Sequence, residues 1–185
     1  MLYLVGGASR AGRSTLARHL LTRRGIPYFS VDVLMMGLAR GLPEFGLDPD
    51  DPSEVRGEKL WPILRAMAVN LLEEEYIHPM YLIEGDTLLP RPVARLMQDY
   101  RGRVKACFIG YAAATPEAKL REVRAGEANW LAGYSDAEAL AFIADMVRFS
   151  RYLQAECASL GLKYFDCSDG PLDATEAAFA YLVAD

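Results

Sequence analysis

Lysine is nearly missing from this chain. Lys59, Lys105, Lys119 and Lys163 are the only four, and the rest of the 20 basic residues are arginine. Against 25 acidic residues they leave a net charge of −5 and a pI of about 5.1. That balance argues against a broad footprint for nucleic acid or an anionic membrane, while leaving room for a local basic pocket that holds a phosphorylated ligand. Histidine is scarcer still, with only His19 and His78. Neither stands near a second metal-type ligand pair, which argues against zinc. The three cysteines, Cys107, Cys157 and Cys167, are odd in number and form no CxxC. They read as buried free thiols in a reducing cytosol instead of disulfides or metal ligands. No apolar run approaches membrane-spanning length. The opening Met1-Leu2-Tyr3-Leu4-Val5 meets glycine too soon to be a signal-peptide core. These shortages predict a soluble, cytoplasmic protein that binds neither nucleic acid nor membrane.

What the chain does contain is enough for one domain over residues 1–185. Its 52% hydrophobic content and mean hydropathy of +0.05 are those of an ordinary globular protein. Five apolar runs recur: Leu2 to Val5, Pro27 to Val31, Met80 to Ile83, Val104 to Ile109 and Leu162 to Asp166. They are near-continuous, as expected of strands covered on both faces. Helical patterns lie between them. Ser14 to Arg24 carries Leu16, Leu20 and Leu21 and stops at Gly25. Leu60, Ile63, Leu64, Met67, Ala68, Leu71 and Leu72 form a stripe at helical spacing, and Pro62 places the start of that helix near itself. Thr115-Pro116 reads as an N-cap and first helical position, Ser135 with Glu138 as a capping box, and Asp173 with Glu176 as the N-cap of the last helix. Alternating strands and helices predict an α/β three-layer fold with a five-stranded parallel sheet. Residues 37–60, rich in Gly, Pro and Asp, read as a substrate-binding excursion or a mobile loop.

The most informative stretch is Gly7-Ala8-Ser9-Arg10-Ala11-Gly12-Arg13-Ser14-Thr15. It has the P-loop spacing of two glycines followed by Ser-Thr, between a strand ending near Val5 and an amphipathic helix starting at Arg13 or Ser14. Glycines there let successive backbone N–H groups curl toward phosphate oxygens, helped by the positive end of the helix. The Ser14 hydroxyl would sit on magnesium. Arg13 departs from the pattern, which has lysine. Arginine keeps the charge but is planar and bulkier than a compact ammonium. The first part of the same stretch also resembles the opening of short-chain dehydrogenases. Their Gly-x-x-x-Gly-x-Gly spacing needs glycine at Ala11 and Arg13, and no tyrosine here is followed four residues later by lysine.

From Gly7 to Thr15 the chain resembles the small-molecule P-loop kinases, the group of shikimate kinase, nucleoside monophosphate kinases and chloramphenicol phosphotransferase. Beyond that stretch the resemblance is positional. It implies ATP and Mg2+ as cofactors and transfer of the γ-phosphoryl group to a hydroxyl or phosphate of a small acceptor. It also implies an aspartate at the end of the second strand that orients or deprotonates the acceptor hydroxyl, and Asp32 stands there. Asp32 equally reads as the N-cap of a helix through Val33 to Met36. Glu84 and Asp86 close the third strand, where the resemblance implies a carboxylate for magnesium or substrate, with Glu84 the stronger metal candidate beside Ser14. Asp86 also reads as a turn residue. Arg121 and Arg124 share a helix face and, with Arg91, are candidates for a phosphate clamp near a lid at 120–135. Solvated helix arginines are the plainer alternative. Asn129, Trp130, Gly133 and Tyr134 mark the candidate lid tip, and Phe45 and Trp61 read as acceptor-pocket walls or core. A nucleotide-binding module without turnover is the competing function, favoured by Arg13. The acceptor and the oligomeric state have no signature in the sequence.

Overall fold

Each of the five apolar runs forms a strand in the computed structural model, which describes residues 1–74, 79–125, 131 and 133–184. The strands are β1 (Leu2–Gly7), β2 (Tyr28–Ser30), β3 (Tyr81–Gly85), β4 (Val104–Gly110) and β5 (Lys163–Asp166). They pair in the order β2-β3-β1-β4-β5, with every pairing parallel. All six residues of central β1 are buried, whereas edge strands β2 and β5 are partly exposed. This is the burial expected of a sheet covered on both faces.

The helices are α1 (Arg13–Arg24), α2 (Val31–Gly41), α3 (Ser53–Glu73), α4 (Pro90–Asp99), α5 (Pro116–Ala125), α6 (Asp136–Leu160) and α7 (Pro171–Val183), with a short 3-10 turn at Pro43–Phe45. From β1 the chain crosses past β3 to β2 through α1, but from β2 to β3 to β4 to β5 it moves the opposite way across the sheet. Right-handed crossovers therefore put α1 on one face and α3, α4 and α6 on the other. The contacts agree: α1 packs on α7, and α4 on α6. Chain direction reverses between β1 and β3, so the crevice beyond their carboxyl ends is the switch point at which open α/β sheets bind ligands.

Local sequence explains most helix ends. α1 buries Leu16, Ala17 and Leu20, each leucine contributing about 1.5–3 kcal/mol by burial. It stops at Gly25, which takes φ +66° and donates its N–H to the Leu21 carbonyl. The capping box of α6 is formed, with Ser135 Oγ accepting from Glu138 N and a Glu138 oxygen accepting from Ser135 N at 2.9 Å. Thr115 Oγ1 accepts from Ala118 N at the start of α5.

Several expectations need correction. α3 begins at Ser53, nine residues before Pro62, which lies inside it. Pro62 is on the exposed side, so its ring and missing N–H disturb one turn without breaking the buried stripe. The stretch 37–60 is accordingly the end of α2, the 3-10 turn and the first turns of α3, with irregular chain only between them. α7 starts with Gly170 as its cap and Pro171 first, which leaves Asp173 within the opening turn. Glu176 instead receives both terminal nitrogens of Arg23 at 2.8 Å, tying α7 to α1. β2 stops at Ser30, so Asp32 falls in the first turn of α2 and does not cap it.

The three cysteines are free and buried. Burial pushes the thiols up, Cys157 to about 12 and Cys167 to about 11, which makes them inert. No helix among the described residues is long and apolar enough to cross a membrane.

Candidate active site at the β1–β3 switch point

The loop after β1 is built by its two glycines. Gly7 takes φ +148°, and a Cβ there would lie 2.1 Å from the Ile109 carbonyl oxygen of β4. Gly12 takes φ +100° and caps α1, where a Cβ would lie 2.8 Å from Thr175 Oγ1 of α7. Any side chain at either position would push the loop off the sheet. Ala8 and Ala11 are fully buried and close the turn, with Ala8 N donating to Ile109 O and Ala11 N to Ala8 O. Arg10 turns the loop with φ +65°. Tyr111 Oη donates to the Ser9 carbonyl at 2.8 Å, bracing the loop from the end of β4. At α1 the first N–H groups meet no capping side chain, and no acidic residue stands in the first turn. An uncapped positive helix end facing a glycine loop is an anion cradle.

Arg13 and Ser14 open the helix and point across to β3. Glu84 is register partner to Val5 of β1 and to Ser30 of β2, so the sheet itself places its carboxylate beside the loop. It is 1% exposed, with one oxygen 3.7 Å from Arg13 Nη1 and the other accepting from Ser14 Oγ at 3.4 Å. Asp86, 3% exposed, follows at the end of β3. Its Oδ2 accepts from Arg56 at 2.8 Å and from Ser53 Oγ at 3.0 Å. Asp32 looks in from α2. It is accessible to solvent, yet enough protein surrounds its carboxyl that desolvation raises its pKa. The charges of Asp86 and Glu84 push it further up, and those of Arg13 and Arg56 oppose them. Asp32, Glu84, Asp86, Arg13 and Arg56 therefore form one electrostatic unit.

Buried polar groups are nearly always hydrogen-bonded. Among the described residues six buried side-chain polar atoms lack a hydrogen-bond partner, and four of them are here: Arg13 Nη1, Glu84 Oε2, Asp86 Oδ1 and Thr87 Oγ1. Such a concentration marks the place where a bound group completes the bonding. No three Asp, Glu, His or Cys side chains among the described residues are arranged to hold a metal by themselves. A cation at this site would need oxygens from its ligand in addition to Ser14.

The other expected residues lie apart from this unit. Arg91 is exposed and paired in two-point fashion with Glu156 of α6. Arg124 donates to Asp136 at 2.7 Å, and Arg121 is exposed on the same helix. The lid tip at Asn129 and Trp130, and His78, lie outside the described residues. Trp61 is half-buried beside Leu89, Pro92 and Tyr152 on the α3–α4–α6 face, and Phe45 packs on the core.

Two groups escaped the sequence reading. Ser53 and Arg56 belong to α3, and their burial continues the stripe Gly57, Leu60, Leu64, Ala68, Leu72 backward by one turn. Extending that stripe past Pro62 would have found them. Tyr111 and buried Lys119, whose ammonium lies 4.5 Å from the Tyr111 ring and donates to Glu122, had no such signal.

Solved structures share this architecture. A shikimate kinase from Bacteroides thetaiotaomicron aligns over 100% of this chain and 99% of its own, with a TM-score of 0.60 and 15% identity. A gluconokinase from Sinorhizobium meliloti aligns over 97% and 90%, with a TM-score of 0.59 and 16% identity. A sugar kinase from a Janibacter species aligns over 98% and 93%, with a TM-score of 0.53 and 18% identity. The chain has the fold of the small-molecule P-loop kinases. No protein-family model and no curated protein matches it by sequence. The strand order also separates it from the dinucleotide fold, in which β1 lies beside β2.

Proposed function

We propose that this protein is an ATP-dependent small-molecule kinase, transferring the γ-phosphoryl group to a hydroxyl or phosphate of a small acceptor. The observation that carries the reading is the uncapped glycine cradle at the switch point, beside buried polar groups that lack hydrogen-bond partners on both the cation and carboxylate side. Those groups fit a nucleotide with magnesium. The backbone of Gly7 to Thr15 and the Arg13 guanidinium would hold the phosphates, and Ser14 would hold the metal with Glu84 behind it. Bound magnesium would supply charge neutralisation between phosphates. The nucleoside end would extend into the cavity of about 290 Å³ lined by Thr115, Lys119, Glu122, Ser168 and Asp169. That cavity joins the loop through Tyr111, which touches both Lys119 and Ser9.

The protein's own chemistry is positioning and one proton transfer. Arg13 and the helix end offset phosphate charge, Asp86 and Asp32 orient the acceptor, and Asp32 takes the hydroxyl proton. A carboxyl with a raised pKa is a better base than an ordinary aspartate. Arg121 and Arg124 on α5 would be the further arginines to clamp the phosphates.

The Arg13–Glu84 contact favours a second reading, binding without turnover, because an arginine held by a carboxylate is less free to follow a transferring phosphoryl group. Titration calorimetry with ADP and Mg2+, followed by single-turnover assays with γ-labelled ATP over an acceptor panel, separates the two. Binding with label transfer supports the kinase. Binding with no transfer supports the module, and no binding removes both.

A further inference from the structure

The acceptor side of the cleft is negative and short of free cations. Among the described residues its one buried guanidinium besides Arg13 is that of Arg56, and all three of its nitrogens are engaged. Nε donates to the Asp51 carbonyl at 2.8 Å, Nη1 to Met35 Sδ at 2.9 Å, and Nη2 to Asp86 Oδ2 at 2.8 Å and Ser53 Oγ at 2.9 Å. Arg56 thus binds α2, the chain before α3 and the end of β3 together, and its charge is neutralised where it stands. The unpartnered atoms beside it have the opposite character. Asp86 Oδ1 can only accept, because a carboxylate carries no proton to give. Thr87 Oγ1, on a side chain 1% exposed, can accept or donate. It lies near Gly85 and Val31: a Cβ on Gly85 would be 3.6 Å from Thr87 Oγ1 and 2.7 Å from Val31 Cβ. Val31 immediately precedes Asp32, and Asp32 feels the charges of Arg13 and Arg56 as well as those of Asp86 and Glu84. A small group entering here meets acceptors from Asp32 and Asp86 and a hydroxyl from Thr87, with Arg56 committed to Asp86 and Arg13 assigned to the phosphates.

On the reading that the protein is a kinase, we propose that its acceptor is an uncharged polyol or an amino alcohol, recognised through its own O–H or N–H donors by Asp86 and Thr87. It is not an acid or a phosphate ester. A carboxylate or phosphate on the acceptor would meet like charge from Asp32 and Asp86, with Arg56 already committed. A hydroxyl pair satisfies the open Asp86 oxygen and the Thr87 hydroxyl together, while a third hydroxyl faces Asp32. An ammonium would be favoured further by the same carboxylates. Ser53 and Arg56 act as positioning residues, since they fix Asp86 Oδ2 and leave Oδ1 turned to the ligand.

The test uses matched pairs that differ only in charge, assayed on the intact chain with ATP and Mg2+: glycerol against glycerate, a pentitol or hexitol against its aldonate, serinol against serine. ADP·Mg2+ affinity is measured first, so that loss of the kinase reading shows as absent nucleotide binding. With nucleotide binding established, kcat/KM should favour the neutral or cationic member by 100-fold or more. Asp86→Asn should raise KM for that member at least tenfold while leaving ADP affinity within twofold. Arg56→Lys should raise the same KM, because a lysine cannot hold Asp86, Ser53 and the Asp51 carbonyl at once. Preference for the acid or phosphate ester, equal use of both, or transfer to no member of any pair overturns the proposal. An Asp86→Asn enzyme with unchanged KM overturns the assignment of Asp86.

Discussion

The guanidinium of Arg13 is 7% exposed and ends 3.7 Å from a carboxylate that is itself buried. A pair in that position is held by geometry more than by strength, since its hydrogen-bond capacity is incompletely used. A phosphate placed in the cradle offers Arg13 the partner that Glu84 only half supplies. Arg13→Ala is therefore expected to weaken ADP·Mg2+ binding by roughly 10- to 100-fold, the loss of about 1.5–3 kcal/mol for a charged hydrogen bond. Arg13→Lys should keep or improve turnover. Calorimetry well below the melting transition checks both, because the alanine variant also leaves Glu84 buried without its cation. At Asp32 the raised pKa makes two linked predictions. A base must be ionised, so kcat/KM should rise with pH along an acid limb whose midpoint lies above the ordinary aspartate value of 3.8. Asp32→Asn should lower kcat on the order of 100-fold or more with little change in nucleotide affinity. For stability the sign is opposite to that of a salt-bridged aspartate. The folded state holds this proton more tightly than the unfolded chain does. No cost exists below the unfolded pKa; it develops as pH rises through the folded pKa and stays in full above it. The asparagine variant should thus gain Tm relative to the parent at neutral pH, and that gain should vanish toward pH 3.

At the scale of elements, the loop and α3 show how far sequence periodicity reaches. Gly7 and Gly12 were visible as a spaced pair, and the structure supplies the reason each must be glycine: a carbonyl of β4 beneath one and Thr175 of α7 beneath the other. Gly12→Ala should therefore abolish nucleotide binding and cost stability, since a positive φ and a contact of 2.8 Å act together. α3 was only half legible. A proline normally opens or ends a helix, so Pro62 hid the two turns before it, and with them Ser53 and Arg56. What holds the helix together across Pro62 is tertiary: Leu60 and Leu64 are buried on either side of it, and Arg56 anchors the first turns to Asp86 of β3. Pro62→Ala restores a backbone donor at an exposed position. It should raise stability by about 2–2.5 kcal/mol, the interior-proline penalty less the chain entropy that proline removes from the unfolded state. Denaturant unfolding checks it, and ADP affinity should be unchanged.

For the whole molecule, the sheet was legible because its strands are buried on both faces and so read as unbroken apolar runs, from Leu2–Val5 to Val104–Ile109. Strand order was not, because nothing local to β2 or β3 says which of them lies beside β1. That order decides the site: it sets Glu84 next to Val5 at the carboxyl end of β3, where Arg13, Asp32 and Asp86 feel one another's charge. Arg56 and Asp86 are 30 residues apart and meet only through it. Arg91 shows the converse, standing near the third strand in sequence while the fold turns it toward Glu156 of α6. A site assembled from four separate segments should stabilise the fold as a unit when filled. At 100 times its Kd, ADP with Mg2+ adds about 2.7 kcal/mol by mass action, which for a domain of this size is a rise in Tm of roughly 5–10 °C. NAD and NADP, whose binding needs β1 beside β2 and a glycine at Ala11, should leave Tm unmoved. Because the rise follows from binding and not from turnover, Arg13→Ala should lose about half of it or more at fixed ligand while Asp32→Asn keeps it. A shift produced by NAD and not by ADP would revive the dinucleotide reading despite the strand order.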